Sequence, residues 1–240
     1  MKTNTTFQSP NFGPRPEGSV INMLLLHYTG MQTSKDALER LCSTAAQVSA
    51  HYLIEEDGEV FQLVHEEQRA WHAGVAYWGG ETDINSCSIG IEIVNPGHEW
   101  GYRGFPPAQM KAVAALSEEI LERHPIPAHR VLAHSDIAPE RKEDPGELFD
   151  WALLAKQGIG FFPSATAQSK TISEENFIAK LGEYGYQVEL ESPTGVTTKA
   201  AIIAFQRHFR QSKLDGKIDL ECCQILADLH SRLDDRPEAP

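Results

Sequence analysis

The sequence contains no long hydrophobic run: nothing in its 240 residues approaches the roughly 20 apolar positions that a membrane-spanning helix needs. Positive charge is also short. Against 34 Asp and Glu stand 21 Lys and Arg, a net −13, which excludes the basic footprint of a nucleic-acid partner. Cysteine is scarce, and Cys42, Cys87, Cys222 and Cys223 show no CxxC spacing, so neither a thiolate metal knuckle nor a disulfide framework is expected. The four read as small, largely buried apolar residues. Met1 to Gly18 is polar, carries three prolines and shows no apolar core of a secretory leader, so the expected location is the cytoplasm, with the periplasm as the alternative.

What is present suffices for a medium domain and a small one: 41% of the residues are hydrophobic, enough to bury a sizeable core at this length. Residues 1–18 read as an irregular lead-in. Val20 to His27 reads as a first strand, and Ser34 to Ala46 as an amphipathic helix with Leu38, Leu41, Cys42 and Ala45 on its inner stripe. His51 to Val64 alternates about Asp57-Gly58, the signature of a hairpin. A long aromatic, glycine-bearing connection follows, from Arg69 through Trp71, His72, Tyr77 and Trp78 to Gly80, and loops of that kind on a rigid scaffold carry binding residues.

Ser88 to Asn95 reads as a strand with Ile89, Ile91 and Ile93 on one face, which puts Glu92 on the other. Either that face is solvated or the carboxylate has a task. Pro107 opens a helix that runs to about His124, Arg130 to Ala133 is the next strand, and Glu147 to Gln157 a closing helix. Composition then changes. Gly158 to Lys170 reads as a linker, and three short amphipathic helices follow, started by Ser173, Thr197 and Asp219.

Two strands end on a histidine, His27 and His134, and Asp144 lies ten residues beyond the second. Strand ends are where an α/β sheet presents side chains to a cleft. Two imidazoles and one carboxylate with a fourth position open is the ligand count of a catalytic zinc, which lowers the pKa of a bound water to about 7. Glu92 is then the candidate for moving that water's proton. Pro145 biases Asp144 towards an extended backbone, so Lys142 at i−2 faces the same way and could stabilise an oxyanion. Spacing alone also allows Lys142 to be a solvated cation of the charged run Glu140 to Glu143.

The segments His27-Tyr28-Thr29-Gly30, Ala70-Trp71-His72-Ala73-Gly74, Asn85 with Ser88 to Glu92, and His134-Ser135-Asp136 through Arg141 to Gly146 together resemble the zinc-dependent N-acetylmuramoyl-L-alanine amidases. The resemblance covers roughly residues 18–160. It implies an α/β fold with a mixed central sheet flanked by helices. Zn²⁺ would be held by His27, His134 and Asp144, with Glu92 as acid and base and Lys142 at the transition state. Trp71, His72 and Asn85 would lie on the substrate side. The position at which some phage members carry a catalytic tyrosine is Ala50 here, and His51 reads as a core or supporting residue.

Residues 173–236, with Leu181-Gly182, Gly185-Tyr186, Ala204-Phe205-Gln206 and Asp215 to Asp219, resemble the three-helix peptidoglycan-binding domain, joined through a linker at 161–172. The implied reaction is cleavage of the amide between N-acetylmuramic acid and the L-alanine of the stem peptide. Its implied substrates are 1,6-anhydro-muropeptides of wall recycling or, alternatively, intact peptidoglycan in the periplasm. A non-catalytic sensor on the same fold would be expected to have lost a ligand, and this chain keeps all three.

Overall fold

The computed structural model describes residues 2–164 and 170–234. In chain order its first elements are β1 (Phe12–Pro14), β2 (Met23–Tyr28), α1 (Ser34–Leu41), β3 (Tyr52–Ile54), β4 (Val60–Gln62) and β5 (Gln68–Ala70). Then come α2 (Ile84–Cys87), β6 (Ser88–Ile93), α3 (Gly97–Trp100), α4 (Pro107–Arg123), β7 (Val131–Ala133), α5 (His134–Ile137) and α6 (Trp151–Lys156). The C-terminal helices are α7 (Glu174–Tyr184), α8 (Val196–Phe209) and α9 (Leu220–Asp234).

The central sheet has the order β4-β3-β6-β2-β7, with β6, β2, β7 and β3 parallel and only β4 antiparallel. Parallel strands are covered on both faces, and the alternation in β2 shows how. Leu24 and Leu26 join Ile89, Ile91 and Ile93 of β6 against Met110, Val113 and Ile120 of α4, with Trp151 and Leu154 of α6. Met23 and Leu25 point the other way, into one continuous core with Phe177, Leu181, Phe205, Phe209 and Leu226 of the C-terminal helices. The helical unit therefore shares its core with the sheet.

The linker expected over 161–172 is anchored at its described ends. Ser164 donates to Asp228 from both its amide (3.1 Å) and its hydroxyl (2.6 Å), and the Arg232 guanidinium sits 4.6 Å from the Phe161 ring centre. Residues 165–169 lie outside the described residues.

Three local expectations change. The lead-in is stitched into the sheet region: Asn4 and Ser9 amides donate to Val60 and Leu63 carbonyls, and β1 pairs with β5. The closing helix starts at Trp151 instead of Glu147, because the Asp150 side chain caps it by accepting from the Leu153 amide (2.9 Å), which leaves Leu148 exposed. The first helix stops at Leu41, capped at its start by Thr33, whose hydroxyl accepts from the Asp36 amide. All four cysteines are free; Cys222 and Cys223 are buried, Cys42 and Cys87 half-buried. No helix among the described residues is long and apolar enough to cross a membrane.

Candidate metal centre and catalytic cavity

Register builds the site. Pairing of β2 with β6 sets His27 beside Glu92, and pairing of β2 with β7 sets Leu26 beside Ala133, so that His134 emerges next to His27 at the same strand ends. Asp144 is brought in by its own backbone, whose carbonyl accepts from the Ser135 amide (3.0 Å). The result is a buried triangle. His27 Nδ1 lies 2.9 Å from His134 Nδ1, and each lies 3.1 Å from Asp144 Oδ2. Tetrahedral zinc with bonds of about 2.0–2.1 Å needs ligand atoms about 3.3 Å apart, so these three fit a metal after a small outward adjustment.

Hydrogen bonding behind the triangle fixes which nitrogens carry protons. His134 Nε2 faces the Ala73 carbonyl at 3.0 Å, and a carbonyl only accepts, so Nε2 holds the proton and Nδ1 presents a lone pair. For His27 the chain is longer. The Ser88 hydroxyl donates its one proton to the Ile84 carbonyl (2.6 Å), so its oxygen accepts from His72 Nε2 (3.3 Å). That leaves His72 Nδ1 as an acceptor for the Nε2 proton of His27 (3.2 Å), and His27 Nδ1 also presents a lone pair. Two lone pairs and a carboxylate aimed at one point form a donor set for a cation.

Electrostatics agree with this protonation. Burial, reinforced by His134, lowers the His27 pKa to about 4. Burial also holds His72 well below the ordinary histidine range. Burial alone would raise the Asp144 carboxyl; positive charge and N–H donation at His134 and His27, when those rings are protonated, pull it well below the carboxylate range, the part a cation would take between neutral rings. Glu92 goes the other way: burial, then the nearby charge of Asp144, raises it to about 8, with Lys142 opposing. Its Oε2 is closed off from solvent and has no hydrogen-bond partner among the described residues.

Glu92, Lys142, His134, Asp144, Trp71 and His72 all line one cavity of about 430 Å³, which extends past Tyr28 and Glu99 to Arg40 and Leu41 on α1. The expected residues are thus brought together with one exception; His27, though not itself on the cavity lining, joins through His134 and Asp144. Asn85 does not line the cavity. Its Oδ1 accepts from the amides of His72 (3.1 Å) and Ala73 (2.9 Å), so it shapes the loop from behind. His72 both borders the cavity and supports His27. His51, fully buried, accepts from the Gly90 amide through Nδ1 (3.0 Å) and braces the strand under His72.

Two arginines complete the frame and went unread in the sequence. Arg15 donates to the Asn85, Ser86 and Ser88 carbonyls at 2.8–3.0 Å. Arg141 donates to the Ala73 and Val75 carbonyls, and the Ala73 carbonyl is the one that orients His134. Nothing local marks either side chain, since their partners lie 66–73 residues away in sequence.

The family model for N-acetylmuramoyl-L-alanine amidase matches residues 17–147. N-acetylmuramoyl-L-alanine amidase AmiD of Escherichia coli (strain K12) is 38% identical over 84% of this chain and 79% of its own length. 1,6-anhydro-N-acetylmuramyl-L-alanine amidase AmpD of Citrobacter freundii is 43% identical over 44% of this chain, which spans about half (54%) of that relative. Among solved structures, AmpDh3 from Pseudomonas aeruginosa in complex with anhydromuramic pentapeptide superposes with a TM-score of 0.82 at 30% identity, covering 97% of this chain and 98% of that one. That match takes in the helical unit as well as the sheet.

Proposed function

This chain belongs to the N-acetylmuramoyl-L-alanine amidase family, and from that premise we propose that it hydrolyses the amide between the lactyl group of 1,6-anhydro-N-acetylmuramic acid and the L-alanine of released muropeptides. The observation that carries the catalytic reading is the convergence of His27, His134 and Asp144 on one point, with His134 and Asp144 sharing a cavity with Glu92 and Lys142. The choice of anhydro-muropeptide draws on AmpD of Citrobacter freundii, named for the anhydro sugar, and on AmpDh3, solved with an anhydromuramic pentapeptide. A place in the cytoplasm goes with this recycling role, and cell fractionation tests it.

His27 Nδ1, His134 Nδ1 and Asp144 Oδ2 would hold the zinc ion. When bound there, zinc supplies a Lewis acid for the scissile carbonyl and lowers the pKa of water to about 7. Glu92 takes the water's proton at its carboxylate and returns it to the departing amine nitrogen, a transfer suited to a group whose burial brings its pKa near neutrality. Lys142, whose ammonium makes no hydrogen bond or salt bridge among the described residues, is free to face the developing negative charge on the carbonyl oxygen. The buried His72–Ser88 pair holds His27 in its working tautomer.

That last role gives a compact test. A Cβ at Gly90 would lie 2.5 Å from both Cγ and Nδ1 of His72, well inside van der Waals contact with the ring. Gly90→Ala is therefore expected to push His72 off His27 and weaken zinc binding by about 10–100-fold in chelator competition. Unchanged affinity would remove His72 from the metal site.

Substrate choice is read by mass spectrometry of products from anhydro-muramyl tripeptide and from intact sacculi. Free stem peptide from the soluble substrate, with sacculi nearly untouched, is the expected result. Release from sacculi at a comparable rate would make the enzyme a wall amidase, and cleavage of neither by zinc-loaded protein would refute the catalytic reading.

A further inference from the structure

The segment 134–149 carries His134, Lys142 and Asp144, yet apart from α5 it is built of turns. A helix about sixty residues further on touches it at three places. From α8, His208 Nδ1 donates to Asp136 Oδ2 at 2.7 Å. Arg207 places Nη2 3.5 Å from Glu143 and Nε 3.8 Å from Glu147, on either side of Asp144. Just past the helix, Gln211 Nε2 donates to the Phe149 carbonyl at 2.6 Å.

Asp136 is the centre of this arrangement. It is fully buried, and each of its oxygens is used. Oδ1 accepts from the Tyr186 hydroxyl (2.6 Å), while Oδ2 accepts from His208 and from the Ala133 amide (2.8 Å). The Ala133 bond fixes the bend at which β7 turns into α5, and His134 is the first residue after that bend. The His208 ring is itself fixed, stacked on Trp151 with centroids 3.8 Å apart. A buried carboxylate needs all its donors, so the direction of His134 depends on two side chains of the helical unit.

We propose that α8, together with Tyr186 before it and Gln211 just past it, is a positioning element of the metal site. Tyr186, Arg207, His208 and Gln211 hold the 134–149 segment so that His134 and Asp144 converge with His27. This gives the helical unit a role inside the catalytic domain, whether or not it binds wall glycan. The proposal rests on the metal reading given above.

The test measures zinc affinity by chelator competition, and the visible spectrum of the cobalt-substituted protein, on full-length variants. His208→Phe keeps a ring on Trp151 but removes the donor to Asp136, and is expected to weaken zinc about tenfold or more and to alter the cobalt spectrum. His208→Asn, whose side-chain amide can replace Nδ1 as donor, should recover both to near wild type. If His208→Phe does not fold, Tyr186→Phe, which deletes one hydroxyl, and Arg207→Gln carry the same expectation. Folded variants with wild-type affinity and spectrum, altered only in Tm, would overturn the proposal. Wild-type protein that binds no zinc would overturn the metal reading and this proposal with it.

Discussion

Replacing Glu92 with glutamine is expected to lower kcat by about 10²–10⁴-fold, the usual contribution of a positioned general base, while zinc binding stays within a few-fold of wild type. The carboxylate is not among the three converging ligand atoms, and glutamine preserves its shape, so the loss should fall on proton transfer. A second, opposite effect is expected on the metal-free protein. Burial and the charge of Asp144 raise the Glu92 pKa to about 8, above the ordinary carboxyl value of 4.5. Between those two values the folded protein binds more protons than the unfolded one, so wild-type stability falls as pH rises through that window.

Glutamine has no charge to desolvate. Metal-free Glu92→Gln should therefore match wild type below about pH 4.5, gain on it by at most about 1.4 kcal/mol per pH unit as pH rises, and level off above pH 8 at an advantage of no more than about 5 kcal/mol. Urea unfolding of both proteins at pH 5, 7 and 8.5 measures this. A variant that loses activity and is also less stable at every pH would mean that Glu92 is structural, and that the base lies elsewhere.

Most of this centre could be read in the sequence for a physical reason. His27, His134 and Glu92 lie in or next to buried strands, where the side-chain period of two assigns each a face and the strand end assigns it a location. Asp144 is read from its place ten residues beyond His134 and Lys142 from Pro145 and the i, i+2 relation, and both do line the cavity, although the segment between them and α5 is made of turns. What remained hidden is polar and long-range. Arg15, Arg141, Tyr186 and His208 act on groups 50–73 residues away, and before folding each has the local pattern of an ordinary surface or helix residue.

Asn85 fails for a related reason. It lies in α2, away from the cavity lining, and its side-chain oxygen is committed to the backbone of residues 72 and 73, which only the folded geometry reveals. The helical unit was legible as three helices, with stops at Gly185 and starts near Thr197 and Asp219. Its stripes of Phe177, Leu181 and Phe205 look the same whether they meet one another or also meet a sheet. Here they meet both. Even its Ala204-Phe205-Gln206 heart has an internal task, because Gln206 accepts from the Gly216 amide (2.9 Å) and donates to the Lys217 carbonyl (2.9 Å), closing the turn before α9.

Asp144→Asn is expected to abolish both activity and the stabilisation that zinc gives. In wild type, His27 Nδ1, His134 Nδ1 and Asp144 Oδ2 face one another at 2.9–3.1 Å, with their protons held on the far sides of the rings by His72 and the Ala73 carbonyl. Such a group is electrostatically unfavourable until a cation joins it, so zinc should bind the folded state and hardly the unfolded one. At free zinc about a thousandfold above Kd that preference is worth about 4 kcal/mol. In a protein of this size it raises Tm by about 8–16 °C.

Asparagine at 144 removes the only negative ligand but leaves the main chain in place, including the carbonyl that accepts from Ser135. The variant should therefore fold, show a zinc-dependent Tm rise of no more than a few degrees, and remain inactive when zinc is restored after chelation. Wild type under the same treatment should lose activity to the chelator and regain it with one equivalent of zinc. If Asp144→Asn keeps the full Tm increment, the carboxylate is not a ligand, and the metal must be sought among other groups of the same cavity, Glu92 first.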